Sequence, residues 1–363
     1  MIAIDTVIVI AIFIYKLSRS FPEFQYLHLL MDYRFGFAKR SLIGAIVSFG
    51  FPAVPVWLVF ALGLAVWLVT LVLFLRLFKK TFGFDEANVP LFAFVVGSPF
   101  FFKNFMLAIG YFDIYGCLFA IVVLLIPARS FRYVVIAALG SIVLILIHHL
   151  HFLLYIPTIG VIVALRYYFV RKVTGLELFG GAVAAAAIAA AFVAAQFYGS
   201  VPVPMDQLIA YLKTRTADAN FFLNPDALDV WYRPLDDDMW RTRHLFVHNL
   251  TRAPVYFVLI ALHWPVIKYF TAMIRSLAVA WQRKLVVLAV ALVSLGYVVI
   301  FVVVFDYARW VSSWAVCMLL IMHAVRQLPA AHVPAPIAAD NKRNLWLGWI
   351  ATIIPRVGIV RPF

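Results

Sequence analysis

A chain of 363 residues that is 66% hydrophobic and only 13% charged, with a mean hydropathy of +1.01, is not an ordinary soluble domain, whose charged fraction is about 25%. Its formal charge of +14 is gathered in short basic loops, the pattern of cytoplasmic membrane loops, so nucleic acid is not expected as a partner. The two cysteines, Cys117 and Cys317, lie inside apolar stretches and imply small-residue packing rather than a disulfide framework.

Taken in chain order, the apolar runs predict an all-α, polytopic helix bundle. A spanning helix needs about 20 mostly apolar residues. Residues 2–17 are the first run. Asp5 lies inside it and no small-residue cleavage site follows, which predicts a retained signal-anchor helix. A polar, aromatic stretch occupies 18–40. Residues 41–51 are apolar but short and glycine-bearing; they predict a re-entrant or interfacial helix leading into a span at 52–78. Further runs cover 88–102, 110–126, 133–147, 152–168 and 177–198. A long polar loop, 199–252, precedes the last three, at 253–270, 284–305 and 311–325. The sum is about ten spans on hydropathy, as one transmembrane domain over 1–363 with a single long external loop. Residues 180–195 are nearly all small and predict a closely packed structural helix. Residues 345–355, with Trp346 and Trp349, are too short to span and predict an interfacial helix. There is no fixed-period repeat, no glycine-rich nucleotide loop and no CxxC pair.

Loop charge orients these spans. Arg76 with Lys79 and Lys80, Arg129 with Arg132, Arg166 with Arg171 and Lys172, Arg275 with Arg283 and Lys284, and Lys342 with Arg343 all fall on one side, which the positive-inside rule makes the cytoplasm. Both termini are then cytoplasmic, in a multi-pass protein of the inner (plasma) membrane. Lys16 and Arg19 beside the first span break the pattern.

Five constellations then fall on the opposite side, where costly polar groups at membrane depth are usually kept for function. The first is Asp32, Arg34, Lys39 and Arg40, an acid and three cations within nine positions. A carboxylate there can take a proton from a sugar hydroxyl, and the cations can hold a phosphate. The bland alternative is an interfacial anchor whose cations snorkel to headgroups. The second is Lys103 and Asp113, on either side of Gly110, read as a structural ion pair across a hairpin or as a ligand site. The third is His148, His149 and His151. His148 and His151 are three apart and share a face if helical; imidazoles suit general-base work or phosphate hydrogen bonding, and otherwise cap a helix end. The fourth is the long loop. It has an amphipathic helix at 205–215, and Trp231 and Trp240 interleave with Arg233, Arg241 and Arg243. Aromatic faces stack on sugars and arginines bind phosphates, although solvated-loop polarity explains the Asp236–Asp238 run. The fifth is Asp306 and Arg309, spaced to pair on one helix face or to present the arginine to an anion. No protein metal site is expected from these spacings and no cofactor is named; a divalent metal stays open.

With about ten spans, one long external loop late in the chain, Asp32-Tyr33-Arg34 with Lys39-Arg40, and Asp306 to Arg309, the chain resembles integral-membrane polysaccharide polymerases and ligases of the Wzy and EpsG kind. It is more distantly similar to lipid-carrier-dependent glycosyltransferases of the GT-C class. The resemblance implies glycosyl transfer at the external face of the inner membrane from a glycan on a polyprenyl (pyro)phosphate, with membrane lipid and cell-envelope assembly proteins as partners. It also implies that Asp32, in the first external loop, serves as base or metal-site acid; the second acid usual in that loop is represented only by Glu23. Asp32, Asp113 and the three histidines are thus the candidate catalytic residues. Arg34, Lys39, Arg40, Lys103, Trp231, Arg233, Trp240, Arg241, Arg243, Asp306 and Arg309 are candidates for binding substrate. The rival reading is a transporter or flippase for a lipid-linked or anionic substrate. A third is an assembly subunit whose charges are only ion pairs.

Overall fold

The computed structural model describes residues 1–19, 21–218, 221–232, 240, 242–244, 246, 251, 253–303, 306–328 and 342–357. The described residues are helical, with no strand; one isolated bridge joins Val54 to Thr216. Four helices are long and apolar enough to cross a membrane: α4 (Trp57–Thr81), α11 (Gly175–Tyr198), α16 (Ala280–Val303) and α17 (Tyr307–Arg326). A fifth span results if α14 (Ala253–Leu262) and α15 (Trp264–Arg275), bent by 62°, count as one. The expected count of about ten therefore corresponds to four or five helices of spanning length among the described residues.

The other apolar runs are interrupted, for local reasons. Residues 88–102 fold as α5 (Val89–Val96) and the start of α6 (Phe102–Leu107), divided at Gly97-Ser98-Pro99, because proline there cannot donate to a continuing helix. α7 (Asp113–Leu125) stops two residues before Pro127. After α8 (Arg132–Ile147), His148 is extended, at φ −156° and ψ 106°, and the chain restarts as α9 (His151–Leu154) and α10 (Ile156–Val163), which ends in a π-helical turn, Ala164–Tyr168. The α14–α15 bend falls at His263, just before Pro265.

The N-terminal segment forms α1 (Ile2–Arg19), α2 (Glu23–Leu30) and α3 (Leu42–Gly50). α3 is the short helix expected at 41–51. It packs on α2 so tightly that a side chain at Gly44 would strike the carbonyls of Met31 and His28. The loop helix α12 (Met205–Arg215) falls where amphipathicity places it and is followed by α13 (Pro225–Leu228). α18 (Lys342–Ile353) packs against α1 and α5.

α17 is the axis of the bundle: 72% of its most apolar stretch is buried, against 6% for α11. α11 begins in a complete capping box, Thr174 with Glu177, which satisfies two otherwise open helix-end donors. It lies along α8, with Gly180 against Phe131 and Gly181 against Tyr168. Most of its apolar side chains are exposed, Phe179, Phe197 and Tyr198 among them. The small residues admit close approach on one side, and the helix is peripheral rather than packed all round. Such wide apolar exposure on a long helix fits hydrocarbon and not water. The two cysteines are buried, with the Cys317 thiol 3.3 Å from the Tyr297 hydroxyl.

The bundle has two chemically distinct ends. At one, Thr81 at the foot of α4 meets His323 near the end of α17, 2.7 Å apart. There Lys80 and Arg166 donate to the carbonyls of Leu125, Val123 and Ile126 at the C-terminus of α7, and Arg171 donates to the carbonyl of Arg129. These cations come from separate basic loops and complement the negative end of the helix dipole. Arg309 marks the other end. It lies fourteen residues before His323 on the same helix, or about 21 Å at 1.5 Å per residue.

Candidate functional site

At this second end, two segments meet around Arg309. Asp306 immediately precedes α17 and Arg309 lies in its first turn; Asp113 opens α7. The Arg309 Nε lies 3.0 Å from Asp113 Oδ2 and 3.2 Å from Asp306 Oδ2. Its N–H is not aligned for a hydrogen bond to either oxygen, so the contact is electrostatic. Two rings flank the guanidinium, Tyr111 at 4.3 Å and Trp310 at 4.9 Å, within the range where aromatic faces attract cations. Asp113 also gains from the positive end of the α7 dipole. The Asp306–Arg309 pairing anticipated from spacing is present. Asp113, however, pairs with Arg309 and not with Lys103.

Lys103 belongs elsewhere. It is fully buried, 3.3 Å from Asp5 of α1, and donates to the carbonyls of Gly97, Thr352 and Ile354 at 2.7, 2.6 and 3.1 Å. It therefore ties α1, the α5–α6 break and the end of α18 together, and has no place among the residues around Arg309. Asp5 was legible as a carboxylate in an apolar run, which requires a partner; the partner's identity was not.

Next to the Arg309 cluster lies a group of buried histidines. His151 Nε2 meets the Phe112 carbonyl at 3.1 Å, one residue before Asp113. The His148 ring lies 5.6 Å from His149 and 5.8 Å from His151. The break after α8 puts these rings together; a shared helix face does not, because His148 is extended and accepts from the Leu150 N–H at 3.3 Å. Sequence reasoning missed a fourth member, His28 of α2. Its ring packs 5.0 Å from Phe112 and 5.4 Å from Trp231. One ring nitrogen in each of His28, His149 and His151 is buried without a hydrogen-bond partner, which is costly unless a ligand completes it. Arg40 acts electrostatically on His28, His148 and His149, and Arg309 acts on His28. The signal for His28 was its place in a short aromatic segment beside the first constellation; nothing in its spacing indicated its neighbours.

Arg40 is held at φ 63°, the left-handed region, which costs a side-chain-bearing residue about 1–2 kcal/mol. The surrounding bonds enforce it: the Lys39 N–H donates to the Gly199 carbonyl at 2.8 Å, and the Lys39 carbonyl accepts from the Trp231 indole at 2.8 Å. Trp231 was expected to offer its face to sugar. It is instead fully buried, because its N–H is spent on fixing the 39–40 turn.

Asp32 and Arg34 dock on the loop helix. The Tyr211 hydroxyl donates to Asp32 at 2.5 Å, the Arg34 N–H donates to the same carboxylate at 3.0 Å, and Arg215 lies 3.8 Å away. The Arg34 guanidinium sits 5.2 Å above the Tyr211 ring. Burial, and then the Asp32 carboxylate, push the Tyr211 hydroxyl up to about 12. The first constellation therefore divides, with Asp32 and Arg34 facing α12 while Arg40 is near enough to act electrostatically on the histidines. Tyr211 and Arg215, unsuspected in the loop, anchor the carboxylate. Trp240 is exposed, its ring tilted 38° to that of His244 at 3.9 Å, and Arg243 is exposed. Arg233 and Arg241 lie outside the described residues. Among the described residues no three His, Cys, Asp or Glu side chains gather in a way that would hold a metal ion.

No known protein family, no curated protein and no solved structure matches this chain.

Proposed function

We propose that this protein is a membrane-embedded glycosyltransferase, of the polysaccharide polymerase or ligase type, that uses a polyprenyl-(pyro)phosphate-linked glycan at the external face of the inner membrane. The observation that carries the reading is the meeting of Arg40, the four histidines, Asp113, Asp306 and Arg309, drawn from distant segments, at the end of the bundle opposite the basic loops. Basic loops favour the cytoplasm, so the site faces outward, with the shorter helices completing about ten passes.

The chemistry follows from the ion pairs. An arginine held between two carboxylates is preorganised, and a (pyro)phosphate leaving group competes for it. As Arg309 turns to the departing phosphate it supplies charge stabilisation where charge develops. The same movement frees the Asp113 carboxylate, which takes the proton of the attacking hydroxyl. Arg40 and the imidazoles supply further donors to the phosphate. Asp32, tied to Tyr211, is assigned in this reading to positioning the external loop.

The decisive experiment offers a panel of polyprenyl-linked glycans to purified protein in liposomes. Arg309→Ala and Asp113→Asn are expected to lower transfer by about 10²–10³ while monodisperse protein remains. Unchanged product formation by both variants would overturn the reading. One observation favours a transporter instead, the α14–α15 helix broken by 62°, since broken helices recur at transport sites. Movement of the lipid-linked glycan across sealed vesicles with no new glycosidic bond would select it.

A further inference from the structure

A cleft opens beside Arg309 and shares Tyr111 with its cluster. It lies between the outer part of α1, the start of α2 and the α6–α7 turn, and is lined by Lys16, Phe21, Glu23, Gln25, Phe60 and Tyr111, among others. Its volume is about 250 Å³, just below the roughly 300–1,000 Å³ of drug-sized ligand sites and suited to a single sugar ring. Tyr111 joins it to the charge cluster: the ring that borders the cleft is the one on which the Arg309 guanidinium rests at 4.3 Å.

We propose that this cleft binds a neutral sugar ring, the terminal residue of the acceptor glycan; as an acceptor site, it rests on the glycosyl-transfer reading. Three features select that chemistry. Lys16 and Glu23 contribute one charge of each sign, so the lining has no net attraction for an anion, unlike the Arg40–Arg309 region. Phe21, Phe60 and Tyr111 supply the apolar surfaces against which the C–H face of a sugar packs, while Glu23 and Gln25 offer hydrogen bonds to hydroxyls. The walls are preformed. Phe21 is stacked 4.9 Å from Phe221 and edge-on to Tyr26 at 5.9 Å. Gln25 donates to the Ile109 carbonyl at 3.4 Å. Gly110, at φ +85°, lets the turn lie against Gln25 and Val59, where a Cβ would come within 2.6 Å of Val59. A preformed site loses little ordering entropy on binding. The arrangement gives two adjoining subsites, a cationic one for the phosphate and a neutral one for the acceptor, with Tyr111 at their junction.

The test is saturation-transfer NMR on the protein in nanodiscs, with a panel of neutral methyl glycosides as probes and phosphoethanolamine as a lipid-headgroup control. At least one glycoside is expected to bind saturably. Phe21→Ala and Glu23→Gln should each weaken it at least about tenfold, the scale of losing one stacking or hydrogen-bonding partner, while Lys79→Ala, exposed at the opposite end of the bundle, leaves its binding unchanged. The proposal is overturned if no glycoside binds, if both cleft variants bind like the parent, or if phosphoethanolamine alone binds. Glycoside binding that follows this pattern in a protein with no transfer activity would retain the sugar site and remove the enzymatic reading.

Discussion

Lys103 offers the sharpest test of how the bundle is held together. Replacing it with Met keeps the length and removes the ammonium. The structure gives the loss as one buried ion pair with Asp5 at 3.3 Å and three hydrogen bonds to the Gly97, Thr352 and Ile354 carbonyls. Breaking a buried pair by removing one partner costs about 3–5 kcal/mol, because Asp5 keeps a desolvated charge, and each orphaned carbonyl adds about 1–3 kcal/mol if water cannot reach it. The single variant should therefore lose at least about 3–5 kcal/mol, an apparent Tm drop on the order of 10 °C, read by thermal unfolding in detergent. Asp5→Asn on the Lys103→Met background removes the stranded charge but not the orphaned carbonyls. It should recover part of the loss, with a coupling of about 1–3 kcal/mol in the double-mutant cycle. A Lys103→Met protein as stable as the parent, or strictly additive single losses, would refute this account of the N-terminal helix, the α5–α6 break and the C-terminal helix as one clamp.

Three further outcomes are expected. Arg40→Gly relieves the left-handed strain at φ 63° and should stabilise or leave unchanged the fold, by up to about 1 kcal/mol, while lowering transfer; a variant that is less stable and fully active contradicts the placement of its guanidinium. Tyr211 has its hydroxyl raised to about 12 by burial and by Asp32, so the folded state binds this proton more tightly than the unfolded chain. Its contribution is fully present below the ordinary tyrosine pKa near 10 and is lost as pH rises through about 12. Stability curves of the parent and Tyr211→Phe should thus converge across that alkaline window, and parallel curves contradict the contact. Single cysteines at exposed Lys79, Arg171 and Arg283 should label only in opened cells, whereas one at Trp240 labels in intact cells; the reverse pattern inverts the topology.

The sequence by itself determined that the protein is helical and membrane-embedded, because its 66% hydrophobic content lies in long continuous apolar runs, which satisfy their backbone as helices and lack the alternation of a closed barrel. Local signals also placed the short helix at 41–51, the amphipathic α12 and the Asp306–Arg309 pair, since each depends on residues within one or two turns of one another. Span continuity was less legible: hydropathy sums over a window and does not feel the breaks at Pro99 and His263, inside the runs 88–102 and 253–270. Only the tertiary structure decided the partners. Lys103 and Asp113 are ten residues apart yet join different clusters, Lys103 with Asp5 and Asp113 with Arg309. Trp231 turned from a surface platform into a buried anchor on Lys39, and His28 entered a site whose other members its own spacing does not indicate. A buried charge or ring nitrogen demands a partner wherever it lies, so the need is written locally. Which distant group meets it depends on how the helices cross, and no spacing along the chain records that.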